Sequence, residues 1–206
     1  MDGVLIDSEP LHNQAWIETL NSLGISTKSL PEYPGVAEIE VAKKFINEYN
    51  IKMPEIKLVD KKHNYLMDML DTHQISPYPG VISGLGSISE LRIGLATSSN
   101  RHFTSRILNK LALDKFFMTV TTSDEIDKPK PYPEIYLKTA CYMSLSPVNC
   151  IAVEDSYSGV KAAKAAGMFV IGVNRLGDEI AEADIINETT EQAIRWIKTN
   201  AKFMKT

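Results

Sequence analysis

From Pro77 onward this chain of 206 residues alternates short apolar runs with helix-patterned stretches, and no other feature limits its possible folds as much. The runs IGLATSS from Ile93, MTVTTS from Met118, CIAVEDS from Cys150 and MFVIGVN from Met168 are each bounded by turn-prone or polar residues. Short continuous apolar runs of this kind read as strands covered on both faces. Between them, Phe103, Ile107, Leu108 and Leu111 fall on one helical face. Ile135, Leu137, Thr139 and Tyr142 form a looser face, and the Ala-rich stretch from Ser158 to Ala166 ends at a stop, Gly167. Strands separated by helices pair in parallel through right-handed crossovers, so a layered α/β domain is predicted.

The stretch from Ser8 to about His73 has helical periodicity and no strand-like run. Leu11, Ala15, Trp16, Leu20 and Leu23 mark one amphipathic face, Val41, Ala42, Phe45 and Ile46 a second, and Tyr65 to Leu70 a third. DSEP and SPYPGV bracket this stretch and suit hinges. The predicted organisation is therefore an α/β core over 1–7 and 78–206 with an all-helical insertion over 8–77. The length allows one core with a modest insertion and not two full domains.

With 22 basic and 26 acidic side chains the formal charge is −4, the wrong sign for a surface that binds nucleic acid. No segment nears the roughly 20 apolar residues that span a bilayer, so no membrane partner is expected. The first residues, MDGVLIDSEP, do not read as a signal or transit peptide, which predicts a cytoplasmic protein. Cys141 and Cys150 show no metal or disulfide spacing and read as idle thiols.

Four segments carry candidate chemistry, and three of them follow strand-like runs. They are Met1 to Val4 with Asp7, Ser8 and Glu9; Thr97 to Asn100; KPKPYPEIY from Lys128; and Glu154 with Asp155. In an open parallel sheet, residues beyond the carboxyl ends of the strands converge on one crevice. Each segment also has a plain structural role available: Thr97 as a helix N-cap, Lys128 and Lys130 as solvated charges, Glu154 and Asp155 as caps or turn residues. Together they describe a phosphate site with one divalent cation. Thr97 offers a hydroxyl donor, Ser98 and Ser99 offer backbone amides at a helix start, and Lys130 offers a fixed positive charge. Glu154 and Asp155 offer the hard oxygens that Mg²⁺ prefers.

The pieces MDGVLIDSEPLHNQAW, YPGV, ATSSN, KPYPEIY and VEDSYSGVKAAKAAGM, spread over the whole chain, resemble the haloacid dehalogenase-like superfamily. The likeness is to the branch with a small helical cap that holds β-phosphoglucomutase-like enzymes and sugar-phosphate phosphatases. It implies a Rossmann-like parallel sheet layered between helices, with 8–77 as the cap domain. Carried over by residue, Asp2 matches the general acid and base, and its carbonyl a metal ligand. Thr97 matches the phosphate-binding hydroxyl, and Glu154 and Asp155 the metal-binding acids. Lys130, which begins KPxPxxY, matches the phosphate-neutralising lysine, with Lys128 as the alternative. The family's first motif is DxDG, whose first Asp is the nucleophile. Met1 falls on the x, so the nucleophile's position lies one residue ahead of Met1, and the central core strand that precedes it in the family is missing from the chain. A start codon assigned too late would account for both.

Within the cap, the resemblance puts Ser8, His12 and Lys61 among the polar groups near the sugar. Their plain readings are a helix cap, a surface histidine and a solvated lysine. In PGVAEIE, Glu38 stands where a mutase would carry an arginine for a second phosphate, and an acid there repels a dianion. The resemblance thus implies a Mg²⁺-dependent phosphatase acting as a monomer on a small phosphorylated metabolite such as a sugar phosphate, through an aspartyl-phosphate intermediate. A phosphosugar mutase and an inactive or regulatory phosphate-binding protein are the alternatives.

Overall fold

The computed structural model describes all residues except Glu32, Pro34, Gly35, 175–179, Ala181 and 201–206. The chain forms two compact units, Met1–Ile6 with Ser76–Thr206, and Asp7–Ile75.

In the first unit the four apolar runs become parallel strands: β1 (Gly94–Ala96), β2 (Thr119–Thr121), β3 (Ile151–Glu154) and β4 (Phe169–Val173). A further strand, β5 (Ile185–Asn187), had no sequence signal. Gly94 sits opposite Thr119, Ile151 opposite Phe169, and Ile171 opposite Ile185. The helices here are α4 (Val81–Ser87), α5 (Arg101–Lys110), α6 (Glu134–Tyr142), α7 (Tyr157–Ala165) and α8 (Thr190–Asn200). α6 packs on β1 and β2, α7 on β3 and β4, and α8 on β4, β5 and α4. This is the α/β, Rossmann-like arrangement that the alternation of runs predicts. The small side chains of α7 let it lie close: Val160, Ala162 and Ala163 are fully buried, as is Val170 of β4. On α8, Trp196 stacks on Phe169 with ring centroids 5.3 Å apart.

The strands form two sheets rather than one, β1–β2 and β3–β4–β5. β1 and β3 are thus both edge strands, yet Leu95 and Ala152 at their centres are buried. Both strands line a cavity of about 690 Å³, walled also by Met1, Val4, Met168 and Ile194. Residues 1–6 do not extend into a strand. The Leu5 amide donates to the Met1 carbonyl at 2.8 Å, and the Gly3 amide to the Ile6 carbonyl at 2.9 Å. The Thr190 hydroxyl donates to the Val4 carbonyl and holds this turn to α8.

The second unit consists of α1 (Glu9–Asn21), α2 (Glu38–Tyr49) and α3 (Glu55–Thr72), with α3 packed on both others. Its core gathers Trp16, Leu20, Val41, Ala42, Phe45, Leu58 and Val59. The Trp16 and Phe45 rings meet edge-on at 5.2 Å, in a core where each large apolar side chain buried contributes about 2 kcal/mol. The buried stripe of α3 runs through Leu58, Val59, Leu66, Met69 and Leu70, and it includes Lys62. Among the described residues no helix is long and apolar enough to cross a membrane. Both cysteines are free thiols, Cys150 buried and Cys141 exposed.

Candidate active site

Thr97 follows β1 directly. Its amide continues the β1–β2 ladder by donating to the Thr121 carbonyl at 3.0 Å, which leaves the hydroxyl for other partners. That hydroxyl accepts from the Ser99 amide at 3.2 Å and lies 3.4 Å from Asp2 Oδ2, while Ser99 Oγ donates to the same oxygen at 2.8 Å. Thr97 does not cap the next helix. Asn100 does, its side chain accepting from the Phe103 amide at 2.8 Å. Ser98 is exposed, and Ser99 takes part through its side chain as well as its amide, its hydroxyl touching Asp2.

Beyond β3 the acid pair is likewise free of capping duty, because Ser156 caps α7 by accepting from the Gly159 amide at 3.1 Å. Glu154 is buried, and its Oε1 receives hydrogen bonds from both Lys130 Nζ and the Tyr136 phenol. Two glycines permit this crowding. A Cβ on Gly159 would stand 2.1 Å from Glu154 Oε2, and one on Gly3 would stand 1.6 Å from Asp155 Oδ2. Gly3 also has φ +65°, a backbone state that other residues adopt only with strain. The Asp2–Gly3 turn therefore touches Thr97 and Ser99 on one side and Asp155 on the other, linking the ends of β1 and β3. Lys130 reaches this place from a loop clasped by Glu134, whose carboxylate accepts from the Asp127 and Lys128 amides at 2.9 and 2.8 Å. Lys128 is exposed and lies over the Tyr132 ring.

The two acids differ electrostatically. Burial opposes ionisation of Glu154, but the charge and hydrogen bond of Lys130, helped by Tyr136, outweigh it and hold the carboxyl below its usual range. Burial and the adjacent Glu154 push Asp155 up to about 6, with Lys130 pulling the other way. The phenol of Tyr136 is raised well above its usual value by burial and then by Glu154.

These groups fit a hard divalent cation in their chemistry. Asp155 is an acid whose ionisation is opposed until positive charge arrives, and its carboxylate fills the space that a side chain on Gly3 would take. Among the described residues no three His, Cys, Asp or Glu side chains gather as a metal cage. Mg²⁺, which keeps several waters and needs few carboxylates, suits such a sparse acid set. Glu154 and Asp155 would hold it, with further oxygens from backbone, water or phosphate.

In the helical unit a separate polar cluster surrounds Glu38. Lys62 Nζ, wholly buried, donates to Glu38 Oε1 and lies 2.6 Å from His12 Nδ1, while His63 Nε2 meets Glu38 Oε2. The Lys62 charge and the two imidazoles hold Glu38 well below its usual range although burial works against them. His12 thus belongs to a network rather than to open surface. Lys61 does not join it and is half-buried over the Tyr65 ring. Lys62 joins the cluster because it shares the helical stripe of Leu58, Leu66 and Met69. Ser8 occupies the cap position of α1 and is buried, but its side chain makes no capping bond. Pro34 and Gly35 of the PGVAEIE motif lie outside the described residues.

The profile of the haloacid dehalogenase-like hydrolase family matches residues 1–173. The chain belongs to the haloacid dehalogenase-like hydrolases. It is 33% identical over 172 residues to the phosphorylated carbohydrates phosphatase of Thermotoga maritima, covering 82% of this chain and 79% of that one. It is 28% identical over 176 residues to hexitol phosphatase B of Escherichia coli, covering 82% and 78%. The solved structure of β-phosphoglucomutase from Clostridium difficile superposes with a TM-score of 0.80 at 25% identity, over 98% of this chain and 94% of that one. As a member of this family the protein is a phosphoryl-transfer enzyme of the phosphohydrolase or phosphomutase kind.

Proposed function

We propose that this haloacid dehalogenase-like hydrolase is a Mg²⁺-dependent phosphatase of small phosphorylated metabolites, sugar phosphates foremost. The observation that carries the reading is the Asp2–Gly3 turn, whose Asp2 carboxylate meets Thr97 and Ser99 and whose Gly3 lies against Asp155. The Thr97 hydroxyl and nearby amides bind phosphoryl oxygens, and Lys130, beside Glu154, balances their charge. Glu154 and Asp155 hold Mg²⁺, which when bound neutralises phosphoryl charge and orients it for in-line attack. Asp2 is the acid that protonates the leaving oxygen and then the base that takes a proton from water. The attacking carboxylate belongs to an Asp at the position ahead of Met1, at the end of an apolar strand lying between β1 and β3. Two buried edge strands facing one apolar cavity support that placement.

Hydrolysis is favoured over isomerisation because the acid at Glu38 is already bound to Lys62 and offers a second phosphate no attraction. The test is a chain extended by an apolar strand ending in Asp, assayed with Mg²⁺ on a panel of sugar phosphates. Release of inorganic phosphate without interconversion of positional isomers is expected. Clean isomerisation with little phosphate release would overturn the reading.

A further inference from the structure

Tyr136 sits in the first turn of α6, inside an apolar cluster with Ile135, Ala140, Ala152 and Val160. A phenylalanine would fill that place with the same ring and bury no hydroxyl. Burying a hydroxyl is costly unless it is hydrogen-bonded, and this one donates to Glu154 Oε1. Lys130 donates to the same oxygen, and its ammonium lies 5.2 Å from the centre of the Tyr136 ring. Lysine, phenol and carboxylate thus form a closed triangle at the end of β3. A carboxylate oxygen accepts two hydrogen bonds comfortably, so Tyr136 and Lys130 together fill Oε1.

We propose that Tyr136 is a positioning residue for the divalent cation. Its phenol fixes the Glu154 carboxylate before the cation arrives, and it shares the load on Oε1 so that Lys130 keeps donors for the phosphoryl group. With the phenol gone, Lys130 alone would hold Glu154, drawn harder to it, and the carboxylate would be free to turn. Neighbours that orient a metal-binding carboxylate commonly govern metal affinity by ten- to a hundredfold. The inference rests on the reading of Glu154 as a metal ligand.

The test is Mg²⁺ titration of the chain by calorimetry, beside thermal unfolding without metal. Tyr136→Phe should raise the Mg²⁺ dissociation constant about tenfold and leave the metal-free Tm nearly unchanged. In a Glu154→Gln background the same substitution should leave Mg²⁺ binding unaltered, because the phenol acts through the acid. Equal Mg²⁺ affinity in the parent and Tyr136→Phe would overturn the assignment while leaving the metal site standing. So would a Tm loss of the same size in both backgrounds with affinity unmoved, which marks a merely structural hydroxyl. A parent chain that binds no Mg²⁺ would overturn both this assignment and the reading beneath it.

Discussion

At the scale of single residues, Asp155 makes the sharpest statement about purpose. Its carboxyl titrates near 6 in the fold and near 4 in an unfolded chain, so the folded state holds the proton more tightly. Below about pH 4 this difference has no effect on stability; between about 4 and 6 it removes stability as pH rises, and above that the loss is complete. We therefore predict that Asp155→Asn raises the metal-free Tm at pH 7 by several degrees, on the order of 1–3 kcal/mol, yet abolishes turnover in the extended enzyme. Melting curves at pH 4 and pH 7 check it, and a gain at pH 4 equal to that at pH 7 would refute the origin given. Gly3→Ala should be harmful for the opposite reason. Its Cβ would land on the Asp155 carboxylate, so the variant should lose both stability and Mg²⁺ affinity, measurable in the same titration. The sequence made Asp2, Thr97, Lys130, Glu154 and Asp155 visible because each sits in a motif of fixed spacing. Ser99 and Tyr136 stayed hidden as partners because their hydrogen bonds join residues 97 and 18 positions apart.

At the scale of elements, caps and buried charges can be separated from chemistry. Asn100, not Thr97, caps α5, so Asn100→Ala should cost about 1 kcal/mol of stability while phosphate affinity changes little. Thr97→Ala should do the reverse, and calorimetric phosphate binding beside chemical denaturation distinguishes them. In the helical unit, Glu38→Gln would leave the Lys62 ammonium buried without its counter-charge and should cost about 2–3 kcal/mol. Replacing the pair together, Glu38→Gln with Lys62→Met, removes both charges at similar volume and should cost less than Glu38→Gln alone in urea unfolding. Strands β1 to β4 and helices α5 to α7 were legible because apolar runs and helical stripes alternate cleanly there. β5 is not legible, being three residues with little burial, whereas α8 carries a helical stripe in Ala193, Ile194 and Ile197. In α3 the buried stripe begins at Leu58, ahead of the face that Tyr65 to Leu70 mark in the sequence, and those earlier turns place Lys62 inward rather than Lys61.

At the scale of the whole molecule, the divided sheet should dominate behaviour. β1 and β3 each present unpaired backbone groups to an apolar cavity, and the penalty for such groups is large. A chain extended ahead of Met1 by about five apolar residues, at about 3.3 Å per residue a match for these short strands, should melt many degrees higher and resist aggregation. An extension of equal length built from Gly and Ser should not, and equal melting of the two would remove the strand from the account. Ending the apolar extension in Asp rather than Asn should separate turnover from stability, since only the first carries an attacking carboxylate. The two tryptophans of the chain fall one to each unit, Trp16 beside Phe45 with the Lys62 ammonium 5.8 Å from its ring, and Trp196 stacked on Phe169. Replacing either by Phe leaves a single tryptophan, so emission excited at the red edge, where the eight tyrosines absorb little, would time the loosening of the helical unit and of the α/β unit separately, without any added label.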